Sequence, residues 1–216
     1  MTGKIVPAVE LRRETTVIDS RFITTVAPTF TVEEAKAFIS RIKGEFTAAT
    51  HNVPAFIIGH GASVSTHCSD DGEPSGTAGR PILSVLMGSG LGDIAVVVTR
   101  YFGGTKLGTG GLVRAYGNAV RDMLLVLPRA EKVLTHLFRM TIPYSLYQKT
   151  VAAISTHKGF VLTTEYAQDI RITGKIRVDL FPALQQELNH FSAGKISPEI
   201  TLTEYSLLPL PSEDKS

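Results

Sequence analysis

Apolar and polar positions along the 216-residue chain change period several times, and each change marks an element. Thr15–Val26 is rich in β-branched residues and reads as a strand pair or one long strand, with Arg21 and Phe22 inside it. From Thr31 the period becomes helical, with Ala35, Phe38, Ile39 and Ile42 on one apolar stripe. Thr31 and Glu34 have the spacing of a capping box, which satisfies orphan N–H groups at a helix start. His51–Ile58 is a second strand, and Pro54, which has no N–H to donate, confines it to an edge or a bulge. Gly59–Arg80 shows no period and is rich in Gly, Ser, Thr and Asp; irregular stretches of this length are commonly functional or disordered. Pro81 then fits the first turn of a helix over Ile82–Met87. Asp93–Phe102 is a strand whose run Ile94–Val98 is apolar throughout, the pattern of burial on both faces. A glycine-rich turn, Gly103–Gly111, leads into a helix over Leu112–Leu127. Leu112, Tyr116, Ala119, Val120, Met123 and Leu127 share its buried face, and Arg114, Asn118 and Arg121 the opposite one.

Pro128–Thr135 reads as a linker, after which the pattern changes. Phe138–Pro143 is a strand, Ser145–His157 a helix, Phe160–Tyr166 and Ile170–Leu180 a hairpin, Pro182–Ser192 a helix and Ile200–Leu207 a last strand. That β-α-β-β-α-β order is the ferredoxin-like one. The expected organisation is therefore α+β, with a first domain over residues 1–130, a second over 136–208 and a polar tail over 209–216.

Composition fits this division. Apolar residues make up 43% and charged residues 19%, enough for a core in each half. No apolar run approaches the roughly 20 residues that span a bilayer, and the first residues, MTGKIVPAVELRRETT, lack the apolar core of a secretory signal. One cysteine, Cys68, allows no internal disulfide. These features point to the cytoplasm. The net charge of +2 carries little information by itself, but its distribution is uneven. Arg100–Lys132 holds six Lys/Arg against two Asp/Glu, whereas the chain from His136 onward has eight of each.

Candidate chemistry falls in two segments. The first is the glycine-rich turn, where Gly103, Gly104, Gly108, Gly110 and Gly111 stand among nine residues. Glycine permits close backbone approach, successive N–H groups can form an anion-binding nest, and a helix N-terminus follows. Lys106 lies inside the turn, Arg100 before it and Arg114 after it. Arg114 and Arg121 are two helical turns apart on one face and, with Lys106, could track a phosphate backbone while Tyr101 or Phe102 stacks on a base. A purely geometric strand-to-helix connection explains the same glycines. Neither P-loop spacing nor a Rossmann fingerprint is present. The second segment is the acidic loop of Asp70, Asp71 and Glu73. It could hold a hard cation or divide acid and base roles. Alternatively the aspartates make turn hydrogen bonds, or Asp71 and Glu73 pair with Arg80 or Arg100. His51, His60, His67 and Cys68 match no zinc spacing, and no GxSxG elbow occurs. No metal or cofactor is expected.

Two stretches, DDGEPSGTAGRP from Asp70 to Pro81 and VVVTRYFGGTKLGTGGLVRAY from Val96 to Tyr116, resemble the signature of the YigZ/IMPACT family. Ser20-Arg21-Phe22-Ile23 and His51-Asn52 also match it. The resemblance is dense over about the first 130 residues and implies a first domain like the second domain of a small-subunit ribosomal protein, a sheet with an unusual βαβ crossover. It implies a second domain like domain V of elongation factor G. Both parallels point to RNA by analogy of fold alone. Eukaryotic relatives regulate translation initiation through an additional N-terminal domain, which this chain does not resemble. The reading is a non-enzymatic protein that binds RNA, the ribosome or translation factors and takes part in regulating translation. The alternatives are an enzyme acting on a phosphorylated small molecule through the glycine turn and acidic loop, and a protein-docking module using the open face of the ferredoxin-like sheet.

Overall fold

A computed structural model describes residues 4–61 and 63–210, so residues 211–216 of the expected polar tail lie outside the described residues. The chain divides into two compact units, one formed mainly by residues up to Glu131 and the other by Lys132–Leu208.

In the first unit, after a short strand β1 (Lys4–Pro7), the Thr15–Val26 pattern resolves as a hairpin of β2 (Leu11–Val17) and β3 (Ser20–Pro28). Ile18 and Asp19 form its two-residue turn, with φ of 42° and 60°. Positive φ at both central residues matches the right-handed twist of the flanking strands. Helix α1 (Val32–Glu45) starts at Thr31, whose hydroxyl accepts from the Glu34 N–H at 3.1 Å. The Glu34 carboxylate reaches one residue beyond the capping-box position and accepts from the Phe30 N–H at 2.7 Å.

Strand β4 (His51–His60) pairs with β5 (Ser63–Cys68), so the expected loop from Gly59 holds a strand, and its long irregular stretch lies between Cys68 and Gly79. Helix α2 (Gly79–Gly88), strand β6 (Ile94–Tyr101) and helix α3 (Gly108–Val126) complete the unit. The sheet order is β2-β3-β6-β4-β5 with every neighbour antiparallel. Strands β3 and β4 are thus parallel to each other, joined through α1, with β6 inserted between them: a split βαβ unit. β4 is internal rather than an edge strand. Pro54 is tolerated because its pairing with β5 begins only at Ala55, opposite Cys68, so the missing N–H costs no ladder bond there. Its carbonyl still accepts from the Ser69 N–H at 3.2 Å.

Both faces of this sheet are covered, as the apolar run in β6 requires. Ala35, Phe38 and Ile42 of α1 pack on Ala27, Phe56, Ala95 and Val97. On the other face α2 and α3 place Ile82, Leu86, Tyr116, Val120 and Met123 against Phe22, Val53, Val96 and Val98.

The second unit has the expected element order. Strand β7 (Arg129–Ile142) occupies what the sequence presents as a linker; Ala130, Val133 and Thr135 are buried among its charged residues. It is followed by α4 (Tyr147–Thr156), β8 (Phe160–Tyr166), β9 (Ile170–Arg177), α5 (Phe181–Ser192) and β10 (Glu199–Pro209). The order β10-β7-β9-β8 is that of a ferredoxin-like sheet. Ala153, Ile154, Leu184 and Leu188 of the helices close a core with Phe138, Met140, Ile170 and Ile172.

Candidate functional site

The acidic loop and the end of β6 meet in the first unit. Glu73 is 8% exposed, Arg100 4% and Tyr116 fully buried. Both the Arg100 guanidinium, through Nη1, and the Tyr116 hydroxyl donate to Glu73 Oε1 at 2.7 Å. Burying a carboxylate is costly unless it is paired, and here one oxygen has a cation and a neutral donor. Burial and the adjacent Glu73 carboxylate push the Tyr116 phenol far above its ordinary range, so it stays protonated and donates. Arg100 Nη2 donates to the buried Ser20 hydroxyl at 3.3 Å, and its guanidinium carbon lies 5.5 Å from the ring centroids of Phe22 and Phe102. Arg100 Nε, also buried, has no acceptor among the described residues.

The three carboxylates of the loop point to different partners. Asp70 accepts from the backbone N–H groups of Gly76 and Gly79 at 2.8 Å and of Ala78 at 3.1 Å, tying the loop to the start of α2. Partial burial opposes its charge, but these three donors outweigh it and hold Asp70 below the usual carboxylate range. Asp71 pairs with Lys43 and accepts from the Asn52 N–H at 2.6 Å, and it too is held low against the cost of burial. No cluster of three or more potential metal ligands occurs among the described residues. Asp70 makes turn hydrogen bonds and Glu73 pairs with Arg100, whereas Asp71 pairs with Lys43 rather than with Arg80 or Arg100.

The glycine segment also divides. Helix α3 begins at Gly108, four residues before the sequence-derived start, so Gly108, Gly110 and Gly111 lie in its first turn and only 103–107 is a true turn. Glycines signal flexibility in a sequence, yet an N-terminal turn tolerates them because its N–H groups have no intrahelical partner. Leu107 is the N-cap and offers no side-chain acceptor. Gly103 has a packing role: a Cβ there would sit 2.1 Å from the Asp19 carbonyl carbon, and its N–H donates to Ser20 at 3.3 Å. Gly104 has φ of 93°, the left-handed conformation that suits glycine.

A cleft of about 340 Å³ opens above the buried pair, lined by Glu73, Pro74, Arg100, Phe102, Lys106, Leu107, Gly108, Thr109 and Leu112. The two sequence segments thus share one site. Lys106 is exposed on its wall, and Phe102 is 45% exposed. Arg114 is exposed on the outer face of α3. Arg121 is not part of this cleft; it lies 13 residues beyond Gly108, about 20 Å along the helix, donates to Asn118 at 2.7 Å and lines a separate hollow between α2 and α3.

Sequence reasoning missed Tyr116 and His51 as members. Tyr116 falls on an apolar stripe, and only its hydroxyl, which needs a partner when buried, signals otherwise. His51 Nδ1 lies 2.8 Å from the Asp71 carbonyl, a contact that needs the proton on Nδ1, and Nε2 is 3.8 Å from Glu73. Ser20, His51, Asp70–Glu73 and Arg100–Gly103 are all family-like segments, and they surround one buried polar cluster.

Residues 18–124 match the Impact N-terminal domain. An IMPACT family member of Haemophilus influenzae is 38% identical over 91% of this chain and 96% of its own length. The chain belongs to the IMPACT family. The IMPACT family member YigZ of Escherichia coli is 37% identical over 91% of this chain and 97% of its own. The crystal structure of a hypothetical protein is 34% identical, covers 99% of this chain and 100% of its own, and superposes with a TM-score of 0.62. In this IMPACT family member the cleft combines a cation fixed by an internal carboxylate, a free lysine and a helix N-terminus. Such a set can hold an anion; its fixed Glu73 is committed to Arg100 and Tyr116.

Proposed function

We propose that this IMPACT family member is a non-enzymatic binding protein that contacts RNA or the ribosome through this cleft and acts in regulating translation. The convergence of Arg100, Lys106 and the α3 N-terminus beside the exposed ring of Phe102 supports this reading. These are the parts that grip a phosphate and stack a base. No helix among the described residues is long and apolar enough to cross a membrane, and a cytoplasmic location accords with the proposal. The test is RNA and ribosome binding by the whole protein across a salt series. Lys106 and Arg114 together correspond to a log–log salt slope near −1.4 on single-stranded RNA. The Lys106→Glu/Arg114→Glu variant should lose the binding and the slope, while Arg121→Glu should retain both. Equal binding by the parent and the double variant would sink the assignment.

A further inference from the structure

We infer that the cleft recognises a terminal phosphomonoester, the phosphorylated end of an RNA strand, rather than an internal phosphodiester. This rests on the RNA-binding reading above. The cleft itself holds few cations: Arg100 and Lys106 line it, Arg114 is exposed on the outer face of α3, and Arg121 is bonded to Asn118 and lines another hollow. A groove that follows a backbone needs cations spaced along it. A cleft of about 340 Å³ is near the lower end for ligand pockets and has room for one small ligand rather than a length of strand.

The donors and charge also suit a doubly charged phosphate. Arg100 is neutralised by Glu73 yet keeps a buried Nε–H without an acceptor. A buried unpaired donor costs stability and calls for an oxygen. Lys106 adds a full positive charge at the wall, and the helix N-terminus adds about half of one. The first turn of α3 carries N–H groups that Leu107 leaves without a side-chain cap. A phosphomonoester brings about −1.5 to −2 charges at neutral pH and three acceptor oxygens. An internal phosphodiester brings one charge and two free oxygens. Phe102, 45% exposed at the rim, gives the terminal base a face to stack on.

The experiment measures binding of one RNA sequence in four forms: 5′-phosphorylated, 3′-phosphorylated, hydroxyl at both ends, and circular. A nucleoside 5′-monophosphate serves as a competitor. One phosphorylated form should bind at least about tenfold tighter than the hydroxyl-ended and circular forms. That preference should shrink below about pH 6, where the second phosphate proton returns. Lys106→Gln, at an exposed position, should reduce the preference without changing the unfolding midpoint, and Phe102→Ala should reduce it as well. Equal binding of all four RNAs overturns the end-recognition inference and leaves the RNA reading standing. No RNA binding overturns both, and direct binding of the mononucleotide in that case assigns the phosphomonoester to a metabolite.

Discussion

At Glu73 one carboxylate oxygen serves Arg100 and Tyr116 together, so their removals differ in kind. Arg100→Leu leaves an uncompensated buried carboxylate and should lower stability by about 3–5 kcal/mol. Tyr116→Phe keeps the ring, which meets Phe22 edge-on at 5.2 Å, and removes a single hydrogen bond to a charged group, a loss of about 1.5–3 kcal/mol. Urea midpoints with unchanged slopes would check both; a milder effect for Arg100→Leu than for Tyr116→Phe would contradict the pairing. Asp70 sets the acid limit of the same region. Its carboxyl is held low in the folded protein, so its contribution is present above its unfolded value near 3.9 and disappears as pH falls through the lower folded one. Asp70→Asn turns a donor toward the Gly76 N–H and should flatten the stability loss between about pH 5 and pH 2, read from urea midpoints at each pH. The sequence offers Arg80 or Arg100 to Asp71 and Glu73 alike, and only the fold decides that Glu73 meets Arg100 while Asp71 meets Lys43.

Among the elements, the β2–β3 hairpin carries a local conflict. Ile18, β-branched and 58% exposed, occupies a left-handed position at the turn. Non-glycine residues avoid that region, at about 1–2 kcal/mol, and asparagine tolerates it best. Ile18→Asn should therefore stabilise the protein by about 1 kcal/mol in thermal or urea unfolding, since little apolar burial is lost; a destabilised variant would mean that Ile18 has a packing role. Elements with a buried stripe were legible from sequence: the stripes of α1 and α3, the apolar β6 and the element order of the second unit. β5, with the sequence SVSTHC, is almost wholly exposed and so carries no hydrophobic alternation to find. The same applies to the first part of β7, whose buried positions are interrupted by Arg129, Glu131 and Lys132. Edge and boundary strands are held by backbone hydrogen bonds, which leave no side-chain signature.

Across the whole molecule, the family-like segments made an unusual βαβ crossover available in advance, while the strand inserted into it and the sheet order of the first unit were not encoded locally. The cleft was legible as two separate segments and became one site only through the pairing of β6 with both β3 and β4. That insertion has a consequence for biosynthesis. The hairpins β2–β3 and β4–β5 can each form as soon as they leave the ribosome, but they cannot join. Their shared partner ends at Tyr101, about 33 residues after Cys68, which at 5–20 residues per second is a wait of about 2–7 s. Meanwhile the inner edges of β3 and β4 stand unpaired, the kind of edge that invites association with another chain. A polypeptide arrested before β6 would hold most of the first unit's strands and no cleft, because Arg100 arrives on the strand that closes the sheet.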